Sequence, residues 1–535
     1  MTQSLSLVDL PEHNAARRGD APAFILEDGT LSHRAFAKLV SGSEAFLRAQ
    51  GIAAGDRIAV WMVNRPEWLA LLLAACRIGA ALVAINTRYR AHEVAHLLEL
   101  SKARLLVMEP RFRNVDFAAI LDTLGHDSRL ARLEKIVVYG AVATTQAFQN
   151  LAKPVIPLGP DTLATASPPS PTVKHALELD APCILFSTSG TTSRPKLVAH
   201  SRAAIAEHSS YVAGTTGLQA PDAQLLATLP FAGVFGFSAA LAALTAGTPI
   251  VLMHTFDAPR AIVMMRRHRI THLFGSDEMF TQLLAQGDIG GAFESVRIAG
   301  YAAFNSGAAA LAKSAWSRGL PLVGLYGSSE VQALFAIQSP TLPMDKRVEA
   351  GGFPSHPKAL VRIRDLASGA LLPHGQLGRL QIQSPTYFIG YLEDAVATDQ
   401  VVDAEGFFDT GDLGYTRGDG SFVYVSRISD TMRISGYLVS PAEIEDVLQC
   451  QPGVADAQVV AIEFAGRTRP VAFVRCKVGV ALDEASLLAA VAAVLAPFKV
   501  PLHVWQVDAF PASDGANGTK VQRSMLRAMA LARLK

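Results

Sequence analysis

Short apolar stretches alternate with helical patterns from about residue 20 to residue 330 of this 535-residue chain. The stretch DRIAVWMV (56–63) predicts a strand, PEWLALLLAACRIG (66–79) predicts a helix that ends at a glycine, and ALVAIN (81–86) predicts the next strand. Strands and helices that alternate in this way form parallel sheets whose faces are covered by the helices. The chain therefore predicts a large α/β domain built on parallel-type sheets.

The pattern changes after about residue 375. The segments GRLQIQS (378–384), FFDTGDLGYT (407–416) and SFVYVSR (421–427) alternate apolar and polar residues, which is typical of antiparallel strands with one buried face. The sequence RGDG at 417–420 has the composition of a hairpin turn between two of these strands. We therefore expect a small antiparallel β subdomain at the end of the large domain.

The end of the chain predicts a separate, compact α+β domain. The pattern Ser-Pro-x-Glu at 440–443 is a capping box with proline at the first helical position, so a helix is expected to begin there. Residues 459–478 predict two strands around a polar turn, and 484–495 predict a further helix. The expected division is an N-terminal domain of residues 1–428 and a C-terminal domain of residues 429–535.

Charge and cysteine usage exclude several classes of protein. The chain has 48 basic and 47 acidic residues, so it lacks the basic excess of a nucleic-acid-binding protein. The four cysteines are far apart and have no ligand spacing, which favours reduced thiols in a cytosolic protein over a disulfide framework or a zinc site. The N-terminus has no basic region followed by an apolar core. We therefore expect a cytoplasmic protein without a signal peptide.

One uncharged segment, residues 225–253, is long enough to span a bilayer. Proline and glycine residues interrupt it at five positions, namely Pro230, Gly233, Gly236, Gly247 and Pro249. Its parts SAALAALTAG and PIVLM predict a short buried helix and a core strand. We expect a buried part of the α/β core here, and no membrane span.

The segment ILFSTSGTTSRPKLVAHS (184–201) contains a loop rich in hydroxyl groups after a buried strand. A loop that leaves a parallel strand lies at the strand's carboxyl end, where α/β proteins bind ligands. Gly190 allows close backbone approach, the serines and threonines supply hydroxyls and amides, and Lys196 supplies a positive charge. The loop therefore predicts a site for a polyphosphate-like anion, although a solvated linker is the alternative for such a composition on its own.

Five motifs in order along the chain resemble those of the adenylate-forming superfamily, the AMP-dependent acyl-CoA synthetases and their relatives. They are STSGTTSRPKLVAHS at 187–201, YGSSE at 326–330, FFDTGDLGY at 407–415, SRISDTMRISGYLVSPAEIE at 426–445 and NGTKVQR at 517–523. The chain departs from the family pattern at a few motif positions, where Ser193, Leu197 and Ser426 replace glycines and Arg433 replaces a lysine. The resemblance covers nearly the whole chain and implies two sheets in the large domain and a mobile C-terminal domain.

The resemblance implies that ATP and Mg²⁺ activate a carboxylic acid to an acyl-adenylate, with coenzyme A as the acyl acceptor. It assigns the β- and γ-phosphates to the loop and Lys196, the α-phosphate to Ser329, Mg²⁺ to Glu330, and adenine to Tyr326. It also assigns the ribose to Asp412 and Arg427. The loop residues of this set are Thr188, Ser189, Gly190, Thr191 and Thr192.

The C-terminal domain would supply the residues that act in turn in the two half-reactions. Lys520 would balance the charge as the substrate carboxylate joins the α-phosphate, and Gly436 would border the channel for the thiol of coenzyme A. The family hinge residue, an Asp or Lys, is replaced here by Ser429, with Asp430 next to it. We expect the domain to rotate at these two positions.

The acid is expected to be aliphatic or aryl, because the stretches that match family pockets are apolar. The pocket residues predicted in this way are Gly233, where relatives have a gating histidine, Phe235, Phe237, Tyr301 and Phe304. Plain core is the alternative for the aromatic residues. Asp277 and Glu278 are expected to cap a helix, with contact to a polar substrate group as the alternative.

Two other functions remain open from the sequence. One is a stand-alone adenylation enzyme that loads a separate carrier protein. The other is a catalytically silent nucleotide-binding regulator, which the presence of Lys196, Glu330, Asp412 and Lys520 disfavours. Homodimers are common among relatives, and the sequence leaves a homodimer open.

Overall fold

The computed structural model of the protein describes residues 6–140, 148–151, 153–159, 162–163, 179–188, 195–287, 289–302, 308–428, 432–434, 437–465, 467–515 and 518–534. The helices of these residues are α1 (Leu10–Arg18), α2 (His33–Ala49), α3 (Pro66–Ile78), α4 (Ala91–Ser101), α5 (Phe117–Asp122), α6 (Arg202–Thr216), α7 (Val234–Ala246), α8 (Ala258–His268), α9 (Asp277–Leu284), α10 (Ala308–Ser317), α11 (Met344–Arg347), α12 (Ala395–Asp399), α13 (Pro441–Gln449), α14 (Glu484–Val494) and α15 (Arg523–Arg533).

The strands, in chain order, are β1 (Pro22–Ile25), β2 (Thr30–Ser32), β3 (Arg57–Trp61), β4 (Ala81–Ala84), β5 (Leu105–Met108), β6 (Lys135–Tyr139), β7 (Val155–Leu158), β8 (Pro182–Ser187), β9 (Leu197–Ser201), β10 (Leu225–Ala227), β11 (Ile250–Leu252), β12 (His272–Ser276), β13 (Ile298–Ala302), β14 (Leu322–Ser328), β15 (Gln332–Ile337), β16 (Gly351–Pro354), β17 (Leu360–Arg364), β18 (Gly378–Gln383), β19 (Gly390–Tyr391), β20 (Phe408–Thr416), β21 (Phe422–Arg427), β22 (Met432–Ile434), β23 (Tyr437–Val439), β24 (Val454–Phe464), β25 (Arg467–Cys476), β26 (Val504–Gln506), β27 (Ala512–Gly515) and β28 (Gly518–Val521).

The first sheet combines a parallel half with an antiparallel half. Its order is β17-β18-β20-β21-β16-β15-β14-β13-β12-β10-β11-β1-β2. The strands from β14 to β1 pair in parallel, whereas β15 turns back on β14 and begins the antiparallel half. The predicted antiparallel region is confirmed, and it extends the first sheet directly instead of forming a sheet of its own.

The second sheet has the order β19-β9-β8-β4-β3-β5-β6-β7 and is parallel from β8 to β7. Strands β9 and β19 add an antiparallel edge. The largest apolar core contains residues of both sheets together with α3 and α7. Both helices are apolar on nearly every face, as expected for helices enclosed by a core.

The uncharged segment 225–253 contains the predicted buried helix, α7, and the predicted core strand, β11. It begins with a further short strand, β10, that was not predicted. Among the described residues, no helix is long and apolar enough to cross a membrane. The predicted hairpin turn at 417–420 is confirmed between β20 and β21.

Two of the four cysteines meet in this core although they are far apart in sequence. Burial and the neighbouring Cys76 thiol raise the pKa of the Cys183 thiol. Cys450, in contrast, is exposed, and Cys476 is partly buried.

The C-terminal part of the chain forms its own cores. Strands β24, β25 and β26 make a three-stranded sheet, and two apolar clusters consist only of residues between 432 and 534. Helix α13 begins at Pro441 as predicted, but the capping box does not form, since the Ser440 side chain makes no cap bond. The Glu443 carboxylate instead accepts a 2.5 Å hydrogen bond from Lys499 Nζ. A charged donor is the stronger partner for that carboxylate.

Truncating Phe237 to alanine should destabilise the large domain. Its side chain is fully buried. The centre of its ring lies 6.2 Å from the centre of the Trp68 ring and 5.3 Å from the centre of the Phe186 ring. A cavity of this kind costs about 3–5 kcal/mol, which thermal unfolding should report as a clear drop in Tm. Phe353→Ala, at a ring that is 37% exposed, is the matched control and should shift Tm much less. Equal shifts for both variants would contradict the assignment of Phe237 to the core.

Candidate active site

Two hydrogen bonds join Thr188 and Lys196, the described residues on either side of the hydroxyl-rich loop. The Thr188 amide donates to the Lys196 carbonyl at 2.9 Å, and the Lys196 amide donates to Thr188 Oγ1 at 3.4 Å. The predicted phosphate-binding residues Ser189, Gly190, Thr191 and Thr192 lie outside the described residues. Thr188 directly follows the carboxyl end of β8 and Lys196 directly precedes β9, so the described ends of this segment lie where α/β proteins bind ligands.

Lys196 and Glu330 approach each other through Tyr391, a residue that the sequence analysis missed. The Lys196 ammonium lies 4.7 Å from the centre of the Tyr391 ring. The Tyr391 hydroxyl donates to Glu330 Oε1 at 3.1 Å. The side chains assigned to the outer phosphates and to Mg²⁺ are therefore connected by one phenol, although 134 positions (330 minus 196) separate them in sequence.

Glu330 sits in the turn between β14 and β15. Ser328 Oγ accepts from the amides of Glu330 (3.2 Å) and Val331 (3.4 Å), which fixes the turn. Gly327 is required here, because an added Cβ would lie 2.6 Å from the Ala333 backbone. The neighbouring carbonyl of Ser329 accepts a 2.7 Å hydrogen bond from His200 Nε2 on β9. Burial lowers the pKa of His200 to about 4, so this bond comes from a neutral imidazole.

Asp412 is a nearly fully buried carboxylate, 2% exposed, on strand β20. Its Oδ2 accepts a 2.5 Å hydrogen bond from the Tyr326 hydroxyl, and its Oδ1 lies 3.0 Å from Arg427 Nε on the neighbouring strand. Within the described part of the chain, Oδ1 forms no well-aligned hydrogen bond. A buried carboxylate oxygen without such a bond fits a ligand that brings hydroxyl donors, such as a ribose.

The pKa of Asp412 is raised to about 6, mainly because burial disfavours its charged form. Arg427 and the Tyr326 hydroxyl act in the opposite direction and favour ionisation. Arg427 also donates to the Thr410 carbonyl at 2.9 Å, which orients the guanidinium. Tyr326 packs among Phe335, Phe422 and Tyr424. Its hydroxyl thus positions Asp412, a role that the motif alone did not indicate, and stacking on adenine stays a prediction.

The donor chemistry of Glu330 fits Mg²⁺. Mg²⁺ prefers hard oxygen ligands such as carboxylates. In ATP-dependent enzymes, one or two carboxylates and the phosphate oxygens of the nucleotide bind the Mg²⁺ ion. Glu330 is partly exposed and has a second oxygen available beside the one that Tyr391 contacts.

Three of the four aromatic residues predicted to line the acid pocket lie in the core. Phe235 is 3% exposed and Phe237 is fully buried. Tyr301 is 1% exposed, and its hydroxyl donates to the Val348 carbonyl at 2.5 Å. Gly233 is the residue before α7, and Phe304 lies outside the described residues. Their part in a pocket stays a prediction, and the placement of the three aromatic residues agrees with the core alternative.

The predicted helix cap at Asp277 and Glu278 requires a correction. Both residues lie in the first turn of α9, but the side chain that caps the helix is Ser276, whose hydroxyl accepts from the Met279 amide at 3.3 Å. A serine oxygen at the N-cap position reaches that amide, whereas carboxylates one and two residues later favour the helix through its dipole.

Lys520 lies on strand β28, whose backbone pairs with β27 in a hairpin at the end of the small domain. The described residues do not include the residue predicted for the thiol channel, Gly436, or the predicted hinge residues, Ser429 and Asp430.

Arg523, three residues after Lys520, donates to the buried Glu445 at 2.8 Å and 3.2 Å. This ion pair joins the start of α15, directly after the strand of Lys520, to α13, and no motif predicted it.

Comparison with known proteins identifies the family of this site. Residues 11–392 match the family model of the AMP-binding enzymes, and residues 443–515 match the model of the AMP-binding enzyme C-terminal domain. The chain belongs to the AMP-binding enzyme family. The predicted adenylate-forming superfamily is thereby confirmed, together with the predicted α/β fold.

Three relatives illustrate the similarity of this AMP-binding enzyme. It is 31% identical over 515 residues to a propanoyl:CoA ligase of Mycobacterium tuberculosis whose named acyl group carries a 7a-methyl-1,5-dioxo-octahydro-1H-inden-4-yl substituent, with 94% of this chain and 95% of that protein covered. It is 28% identical over 540 residues to the fatty acid–acyl-carrier-protein ligase ScoC of Streptomyces coeruleorubidus, covering 98% and 96%. The crystal structure of ATP-bound MatB from Rhodopseudomonas palustris superposes with a TM-score of 0.81 at 25% identity, covering 99% and 100%.

Nucleotide affinity should depend on pH through Asp412. Since its pKa is raised to about 6, the carboxylate is charged above pH 6 and accepts strongly from hydroxyl donors, whereas below pH 6 protonation weakens those bonds. Removing the charge by Asp412→Asn should lower AMP affinity by about tenfold or more at pH 8. The ratio of wild-type to variant affinity, measured by calorimetry, should fall towards one at pH 5. A ratio that stays constant from pH 5 to pH 8 would contradict this role of Asp412.

Proposed function

We propose that this enzyme uses ATP and Mg²⁺ to activate an aryl, ring-bearing or fatty acid, with coenzyme A as the acceptor of the acyl group. The reaction class is that of an AMP-forming carboxylate–CoA ligase, and its products are acyl-CoA, AMP and pyrophosphate. The observation that carries the proposal is the approach of Lys196 and Glu330 through Tyr391, together with the buried Asp412, whose carboxyl group lies within the electrostatic influence of Glu330.

The chemical obstacle is that one anion, the substrate carboxylate, must attack another, the α-phosphate. Catalysis then depends on positioning and on neutralising charge. Asp412 orients the nucleotide through its ribose, and Arg427 keeps that carboxylate charged and in place. Lys196 and the loop hold the outer phosphates, while Glu330 holds Mg²⁺, which withdraws charge from the phosphates when bound. Lys520 brings a positive charge to the two reacting groups.

The acceptor and the domain movement rest on the family. Rotation at Ser429 and Asp430 would take Lys520 away after the first half-reaction and bring Gly436 beside the thiol channel. Coenzyme A is favoured as the acceptor by the named CoA-ligase relatives. A carrier protein is the second candidate, because ScoC is named as a ligase for an acyl carrier protein.

The location and the assembly belong to the same proposal. A cytoplasmic enzyme is in keeping with four scattered cysteines that a reducing compartment would keep as thiols. A homodimer is proposed only from its frequency among relatives.

Acid-dependent release of pyrophosphate tests the proposal. We expect release with ATP and Mg²⁺ for one class within a panel of fatty acids, aryl acids and propanoates that carry fused rings. Lys520→Ala should lower that rate by about 10²–10³-fold, which is typical for the loss of one positioned charge. Lys477→Ala, at an exposed lysine of the same domain, is the matched control and should leave the rate unchanged.

Parallel reactions with and without coenzyme A identify the acceptor. A thioester product that requires coenzyme A is the expected result. An adenylate that forms but passes its acyl group only to the 4′-phosphopantetheine thiol of a carrier protein would favour the second candidate. Tight ATP binding without release for any acid of the panel would overturn the proposal.

A further inference from the structure

Tyr391 occupies a fixed place between the two sheets. It belongs to the two-residue strand β19, in which Gly390 pairs with Ala199 and Tyr391 pairs with Val198 of β9. On either side, the Ile389 amide donates to the Ala199 carbonyl and the Leu392 amide donates to the Leu197 carbonyl, both at 2.8 Å. Since β9 begins directly after Lys196, this pairing places the backbone of Tyr391 beside the end of the hydroxyl-rich loop.

The Tyr391 side chain contacts two opposite charges at once. Its ring face receives the Lys196 ammonium at 4.7 Å, a cation–π contact. Its hydroxyl donates to the Glu330 carboxylate at 3.1 Å, a charge-assisted hydrogen bond.

The position of the Tyr391 phenol also explains why the Lys196 ammonium and the Glu330 carboxylate do not form a direct ion pair. An ammonium and a carboxylate that contact the same side chain attract each other and can form a direct ion pair. Among the described residues, neither Lys196 nor Glu330 forms an ion pair, and the phenol lies between them. A direct pair would have to break before the ammonium could bind phosphate and the carboxylate could bind metal.

We propose that Tyr391 is a positioning residue that keeps Lys196 and Glu330 apart and aimed at the outer phosphates and the metal of bound Mg-ATP. The inference rests on the proposed function of the site. The two parts of the Tyr391 side chain have separate roles, since the hydroxyl contacts the Glu330 carboxylate and the ring contacts the Lys196 ammonium. The two parts therefore predict different defects when they are removed one at a time.

The test is nucleotide binding by calorimetry to the full-length protein, with ATP alone, with ATP and Mg²⁺, and with AMP. Tyr391→Phe keeps the ring and loses the hydroxyl, so binding of ATP alone should stay within about twofold, while the gain in affinity from Mg²⁺ falls by about fivefold or more. Tyr391→Leu should in addition weaken ATP alone by about threefold or more. AMP, which lacks the outer phosphates, should bind equally to all forms.

Tyr387→Phe is the matched control, because Tyr387 lies four residues earlier in the same segment and is partly exposed. It should leave all three affinities unchanged. A Mg²⁺ gain that is the same in Tyr391→Phe and wild type would overturn the positioning role, and it would leave the proposed function intact if wild type still releases pyrophosphate with acid. Equal losses for AMP and ATP would indicate a general packing defect and would also overturn it. Wild type that binds neither nucleotide would overturn the proposed function and this role together.

Discussion

The site depends on the junction at which the edge of the second sheet meets the β14–β15 turn of the first. Segment 386–392 makes this junction with backbone groups: the Phe388 amide donates to the Glu330 carbonyl at 2.7 Å, and β19 pairs with β9. Gln332 adds a side-chain donor to the Thr386 carbonyl at 2.7 Å. His200 closes the junction by its bond to the Ser329 carbonyl. Because hydrogen bonds fix the distance between the two sheets here, the loop lysine and the turn glutamate are placed before any ligand arrives.

A second constraint is the cost of burying charge. Asp412 is almost inaccessible to water, so its ionised form needs Arg427 and the Tyr326 hydroxyl beside it. The arrangement leaves one oxygen without an aligned donor, which is a preorganised acceptor for ligand hydroxyls. In the small domain, the buried Glu445 and Arg523 follow the same rule, and burial raises the pKa of Glu445 to about 7. Buried charges with strong partners thus fix β20, which carries Asp412, and the start of α15, which follows the strand of Lys520.

Much of the fold follows from local patterns, since buried strands and helices leave periodic apolar signatures. The buried helix and the core strand within residues 225–253 and the hairpin at 417–420 were predictable in this way. The family motifs, found in the expected order along the chain, predicted Lys196, Glu330 and Asp412 as site residues. Tyr391 was not predictable, because its role depends on two partners that are 195 and 61 positions away (391 minus 196 and 391 minus 330) and meet only in the folded sheets. The contact between Cys76 and Cys183 and the failure of the capping box at Ser440 have the same origin, since tertiary partners override local patterns.

A crystal structure of the full-length chain with bound AMP tests the central claim most directly. We predict that both ribose hydroxyls lie within hydrogen-bond distance of the Asp412 carboxylate and that the phosphate points towards the loop closed by Thr188 and Lys196. Tyr391 should remain between Lys196 and Glu330 in that complex. AMP bound elsewhere, or a ribose that makes no contact with Asp412, would contradict the assignment of this junction as the nucleotide site.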